Sequence, residues 1–244
     1  GDRAMSERVR LVTGYVPLAG HPKSTATYLA LGRRLLALPV PKVVWTTGTI
    51  AAELEREPGA PAPTDVRRFD GRFWIHDELD GRSYSVASQH PAKDTLAFHA
   101  VQHQKTRWLE EASREFASDI LVWIDFGIFH VPGITERVIA DFVGRLRDDF
   151  VAIPGCWPRS DRVMLDQPNW RFCGGVVVCP GLLAPWLHRV CVDTFRGIVA
   201  LHRKVSWEVN TWAIAEMSGR LPIRQYHAAT HDERMFTAYD GPPS

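Results

Sequence analysis

The stretch from Asp119 to His130, DILVWIDFGIFH, limits what this chain can fold into more than any other. Its run Ile120-Leu121-Val122-Trp123-Ile124 is too short for a typical helix and rich in strand formers, so it reads as a buried strand. The run stops abruptly at Asp125. A carboxylate at the tip of a buried strand needs a cation, backbone donors or a ligand, because an unpaired charge away from water is costly. In open α/β sheets that tip is where ligands bind, outside the carboxyl ends of the strands. Gly127 lets the backbone come close to whatever sits there. The plainer alternative is that Asp125 only caps a turn.

The flanking segments alternate strand and helix. Val9 to Thr13 predicts a strand, followed by Gly14-Tyr15 and a loop broken by Pro17, Gly20 and Pro22. Ser24 or Thr25 suits the cap of a helix whose Tyr28, Leu31, Leu35 and Leu38 share a face. Lys42 to Thr47 predicts the next strand, which completes a β-α-β unit with parallel strands. Glu53 to Asp65 reads as a surface excursion, and Phe69 to Ser88 carries turn signals without a period. Asp94 is placed to cap a long helix through Phe116, with Ala97, Val101, Trp108, Ala112 and Phe116 as its apolar stripe. Lys105 and Arg107 are read as lying off that stripe.

Beyond Asp125 the spacing predicts a helix over 135–148 and a strand from Phe150 to Ile153. Cys156 to Asn169 is a loop long enough to be functional. Phe172 to Cys179 reads as a strand interrupted by Gly174-Gly175, as where a ligand or backbone approaches closely. A helix from Leu183 to Leu201, another capped by Ser206 and a strand from Leu221 to Tyr226 follow. The expected fold class is α/β, with a mixed, mostly parallel central sheet flanked by helices.

Composition narrows the function classes. Hydrophobic content of 45% and charged content of 23% belong to an ordinary globular chain. A net charge of +1 gives no basic face for nucleic acid, and the apolar runs are too short for a membrane span. Cys156, Cys173, Cys179 and Cys191 show neither CxxC nor zinc spacing, so they read as free thiols in a reducing compartment. The start GDRAMSERVR has no apolar secretory core; Gly1 to Ala4 resemble an expression scar before Met5, and a cytoplasmic protein is expected. The nine tryptophans serve either sugar stacking or core packing, the second being the commoner use.

Several residues carry candidate chemistry. Asp125 could hold a divalent cation at a diphosphate, although Gly127 stands where a second carboxylate would strengthen that reading. Thr13-Gly14-Tyr15 could hold a nucleobase by stacking and backbone hydrogen bonds, or simply turn the chain. Glu208, in the first turn of its helix, is favoured as an ionised carboxylate and could act as a base toward a hydroxyl. His227 and His231 are four apart but lack the glutamate of a zinc protease motif. His227, at a strand end, is the better candidate metal or phosphate ligand. Lys105, Arg107 and Arg171 are the basic residues nearest the candidate pocket.

The order VTGYVPL, LVWIDFG, NWRFCGGVVV and SWEVNTW resembles a GT-A-type glycosyltransferase, closest to the HtrL/YibB/WlaTC-like group of bacterial enzymes. The likeness runs from about Val9 to His231. It implies one GT-A-like, Rossmann-like domain over residues 5–244, with a nucleotide-binding half at 5–130 and an acceptor-binding half at 131–244. It implies a nucleotide-sugar donor, often UDP-linked, a carbohydrate or other hydroxyl acceptor, Mn²⁺ or Mg²⁺, and a role in polysaccharide biosynthesis. Only Asp125 matches the Asp-x-Asp of such folds, so it would meet either a metal or ribose hydroxyls. Thr13, Gly14, Tyr15, Lys105, Asp125, Gly127, Arg171, Gly174 and Gly175 would then hold the donor. Glu208 would face the acceptor as the catalytic residue, and Asp125 with His227 would bind the metal. A degenerate nucleotide- or sugar-binding protein is the alternative, and a metal-dependent hydrolase using His227, His231 and Asp125 a third reading.

Overall fold

The structure is a computed structural model that describes residues 8–56, 59, 61–147, 149–220 and 222–241. Gly1 to Ala4, and Leu221 at the start of the last expected strand, lie outside the described residues. In chain order the strands are β1 (Val9–Tyr15), β2 (Lys42–Thr46), β3 (Thr64–Arg68), β4 (Ser85–Val86), β5 (Ile120–Ile124), β6 (Val151–Gly155), β7 (Val176–Pro180), β8 (Lys204–Val205) and β9 (Ile223–His227). The helices are α1 (Thr25–Leu36), α2 (Gly48–Leu54), α3 (Trp74–Leu79), α4 (Leu96–Phe116), α5 (Glu136–Arg145), α6 (Ala184–His202), α7 (Glu208–Met217) and α8 (Arg234–Thr237).

Alternation along β5 dictates the layers. Leu121 and Trp123 pack on one side of the sheet, Val122 and Ile124 on the other. A strand apolar at every position must be covered on both faces. One cover comes from α4, α6 and α7, which bring Trp108, Leu187 and Trp212 against Trp123's side. The opposite cover brings Leu35 of α1, Phe142 of α5 and Phe236 of α8 against Val122 and Ile124.

The central sheet has the order β3-β2-β1-β5-β7-β6-β9, and β4 pairs with β8 apart from it. β7 alone runs against its neighbours; β1 is parallel to both β2 and β5, and β6 is parallel to β9. This is the mostly parallel α/β sheet flanked by helices that the sequence predicts, and a Rossmann-like arrangement is consistent with it. It takes strands from both the 5–130 and 131–244 segments. No helix among the described residues is long and apolar enough to cross a membrane.

The topology selects one rim. From β1 the chain steps outward to β2 and β3, then returns to β5 on β1's other side. The crevice outside β1 and β5 is therefore a topological switch point, where α/β sheets hold ligands. Because β7 is reversed, its leading residues Gly174-Gly175 also stand on this rim, and the Asp125 amide donates to the Gly175 carbonyl at 3.0 Å.

Several local expectations need correction. Gly174-Gly175 precede β7 rather than interrupt it. Thr95, not Asp94, caps α4 through its hydroxyl; the buried Asp94 carboxylate instead accepts from the Gln89 and His90 amides. Trp207 occupies the cap position of α7, and Ser206 donates to the Leu165 carbonyl. β3 forms an edge of the sheet and begins at Thr64, within the Glu53 to Asp65 stretch expected to be a surface excursion; TDVRR at an edge has no need of an apolar face. Lys105 sits on the buried side of α4, not off its stripe.

Candidate functional site

Strand alternation also aims Asp125. It follows Trp123 by two residues, so it shares Trp123's face, toward α4 and α7. The Trp123 indole Nε1 donates to Asp125 Oδ1 at 2.7 Å. Trp123 in turn stacks on Trp108, 5.7 Å between rings, and Trp108 stacks on Trp45. This wall explains Gly14: a Cβ there would meet the Trp108 ring at 2.4 Å. The glycine at the end of β1 is required for packing, and Thr13 beside it is buried with no hydrogen-bond partner for its hydroxyl among the described residues.

Lys105 is the centre of the site. Its ammonium is 2.8 Å from the Gly174 carbonyl, 2.9 Å from Glu208 Oε1 and 3.1 Å from Asp125 Oδ1. An ammonium has three N–H donors, and three oxygens surround this one. The side chain is 2% exposed, as is consistent with a buried lysine only when it is paired. Burial pulls its pKa down, but the charges of Asp125 and Glu208 outweigh burial and hold it above the ordinary value. Glu208 reaches this point from the first turn of α7 and is itself buried. Gly174 is required here, since a Cβ would stand 2.2 Å from Glu208 Oε1. No described residue donates a hydrogen bond to Asp125 Oδ2 or Glu208 Oε2, so one oxygen of each carboxylate is left for other partners.

A cleft opens over these groups in two connected lobes of about 260 and 380 Å³. Lys23, Tyr28, Phe98, Lys105, Asp125 and His130 line both. The first lobe adds Gly14, Tyr15 and the start of α1, and its wall is aromatic. Tyr15 stacks between Tyr28 and Phe126 at 5.0 and 5.4 Å. Burial, then the nearby Asp125 charge, pushes the Tyr28 hydroxyl up to about 12, so it is a neutral donor at ordinary pH. The second lobe adds Lys93, Trp170, Gly174, Gly175, Glu208 and His231. Trp170 and His231 face each other there, 5.2 Å between rings.

Two cations stand at the mouth. Lys23 and Lys93 form no ion pair with a described residue; each rests on an aromatic ring, Tyr28 and Phe98 respectively. Burial, then the Lys93 charge, lowers the pKa of Lys23. His130 donates from Nδ1 to the Gly127 carbonyl at 2.6 Å, which leaves Nε2 as its free nitrogen.

The expected site residues therefore divide. Gly14, Tyr15, Lys105, Asp125, Gly127, Gly174, Gly175 and Glu208 meet in the cleft. Arg171 does not: its guanidinium is clamped by Glu216 and Gln225, and it lines neither lobe. Arg107 is held by Glu110 and Glu111. His227 stands exposed at the end of β9, three strand positions from β5, or about 14 Å along the sheet. The chain turns back after it, and His231 lines the cleft instead.

Lys23, Tyr28, Lys93, Phe98 and Trp170 also line the cleft, beyond the residues that the sequence singles out, and His231 lines it where His227 was the favoured member of the pair. Lys23 carried a signal, directly before a helix cap; the others sit in loops or on helix faces with no distinguishing pattern. No protein-family model matches this chain, and no curated protein matches it.

Proposed function

We propose that this protein is a glycosyltransferase of the GT-A type, moving a sugar from a nucleoside-diphosphate donor to an acceptor hydroxyl. The HtrL/YibB/WlaTC-like resemblance makes UDP the first donor nucleotide to try. The observation that carries the reading is the graded cleft at the switch point. It is aromatic at the β1 end, cationic at the mouth and carboxylate-lined over α7. An aromatic lobe suits a nucleobase. Lysines suit a diphosphate, and carboxylate oxygens beside a tryptophan suit a sugar that is all hydroxyls and apolar ring face.

The chemistry follows from the free oxygens. Displacement at the anomeric carbon leaves negative charge on the departing diphosphate, where Lys23 and Lys93 offer positive charge. Asp125 Oδ2 would accept from a hydroxyl of the donor. Glu208 Oε2 would accept the acceptor's proton, with its other oxygen pinned by Lys105.

The divalent cation that the resemblance implies does not fit the residues present. Asp125 Oδ1 already has Trp123 and Lys105 as partners. A side chain at Gly127 would strike the Tyr28 ring at 2.8 Å, so a second carboxylate has no room there. Among the described residues no three His, Cys, Asp or Glu side chains gather as a metal site. No step above is routed through a metal.

The test is release of nucleoside diphosphate from a panel of nucleotide sugars, with and without acceptor sugars. The reading expects one donor to be turned over, and Asp125→Asn and Glu208→Gln each to lower kcat by roughly a hundredfold or more. Turnover untouched by both substitutions, or no turnover and no binding of any donor, would contradict it.

A further inference from the structure

We infer that the Lys105 ammonium is the resident cation of this cleft, joining Asp125 and Glu208 where a divalent ion would otherwise stand, so that the diphosphate is bound without a metal. The inference rests on the nucleotide-sugar reading above.

The oxygens around Lys105 come from three distant segments: the end of β5, the residue pair before β7 and the first turn of α7. Two carboxylates and a backbone carbonyl are the donor set a hard cation takes. Here they converge instead on a nitrogen, at hydrogen-bonding distances of 2.8 to 3.1 Å. Lys105 is delivered by a helix whose neighbouring positions on that face, Val101, Trp108 and Ala112, are apolar. A charge is tolerated in that company only if its partners are built for it. They are: Gly174 has no side chain because Glu208 needs the space.

A metal added beside Asp125 would stand against this ammonium and repel it. Position 127, where another carboxylate could offset that repulsion, is closed by Tyr28. The diphosphate's charge is met at the mouth, by Lys23 and Lys93, which have no acidic partner among the described residues.

Two measurements test this. The first is calorimetric titration of nucleoside diphosphates into the wild-type chain, in EDTA and in Mn²⁺. The expected dissociation constants agree within about twofold; binding that tightens roughly tenfold or more in Mn²⁺ overturns the inference alone. No binding of any nucleotide under either condition overturns the nucleotide-sugar reading and this inference with it. The second is Mn²⁺ binding by Lys105→Met, followed by loss of the free-ion electron paramagnetic resonance signal. With the ammonium gone, the emptied oxygen cage is expected to take up about one Mn²⁺ per chain and to raise the melting temperature in its presence, while wild type does neither. A folded variant that ignores Mn²⁺, or wild type that binds it as tightly, overturns the inference. If the variant needs help to fold, Mn²⁺ is expected to supply it. Failure to do so counts against the cage.

Discussion

The Lys105 ammonium lies 2.9 Å from a carboxylate oxygen of Glu208, although 103 positions separate the two residues. Both are buried, so each is the other's substitute for water. Removing one strands the other. Glu208→Ala is expected to lower unfolding free energy by about 3 kcal/mol, because Lys105 keeps only Asp125 as a counter-charge. Glu208→Gln preserves shape and one acceptor, and should cost less than half as much. Urea titrations of the two variants check this. Equal losses would mean the pair's charges do not matter.

The adjacent glycines before β7 differ sharply in what surrounds them. A Cβ on Gly174 would stand 2.2 Å from Glu208 Oε1, while one on Gly175 first meets Ile128 Cδ1 at 3.2 Å. Gly174→Ala should therefore destabilise by about 2 kcal/mol and dislodge the Lys105 cluster, with Gly175→Ala costing under about 1 kcal/mol. Melting curves and ligand titrations on both variants give the comparison; similar behaviour would show that the cluster yields easily.

Lys23 and Lys93 are expected to act on a bound diphosphate by charge alone. Substituting either by alanine should weaken nucleoside diphosphate binding by roughly tenfold and make it less dependent on ionic strength. Nucleoside binding should be unchanged. Calorimetry at low and high salt separates these effects, and an equal loss for nucleoside and nucleotide would place the lysines elsewhere in recognition.

Acid stability should be governed by two buried histidines. Burial holds His103 at about 4, against a lesser upward pull from the Ser206 carbonyl it bonds at 2.9 Å. Burial likewise holds His188 at about 4, beside the Thr106 hydroxyl. The unfolded chain protonates both near 6.5, so between pH 6.5 and 4 it binds more protons than the folded chain. Stability thus falls as pH drops through that window, by up to about 3 kcal/mol per histidine. Denaturant midpoints at pH 7.5, 6 and 5 report the slope, which His103→Gln should flatten. A midpoint independent of pH would mean these rings are not neutral inside.

Much of the framework is legible in the sequence because it depends on local pattern. Ile120 to Ile124 ends in Asp125, and that strand and its half-buried polar tip follow from an apolar run stopped by one carboxylate. The site's reasons are less legible, because they lie across the sheet. Gly14 looks like a turn glycine until Trp108 is found against it. Lys105 counts as polar in any amphipathic pattern, yet it falls four after Val101 and three before Trp108 on the inward face. That spacing was the available signal. His231 and Trp170 lie in aperiodic loops; the strand-end position of His227 points to the wrong member of the histidine pair, and nothing local sets Trp170 above Arg171 beside it.

The most direct test of the central claim is a crystal structure with the nucleotide sugar that binds most tightly. The account predicts the base against Tyr28 in the aromatic lobe, the diphosphate within reach of Lys23 and Lys93, and a donor hydroxyl about 3 Å from Asp125 Oδ2. Ligand bound elsewhere, such as the separate hollow between Arg33 and Asp65, with the cleft over Asp125 empty, would contradict it.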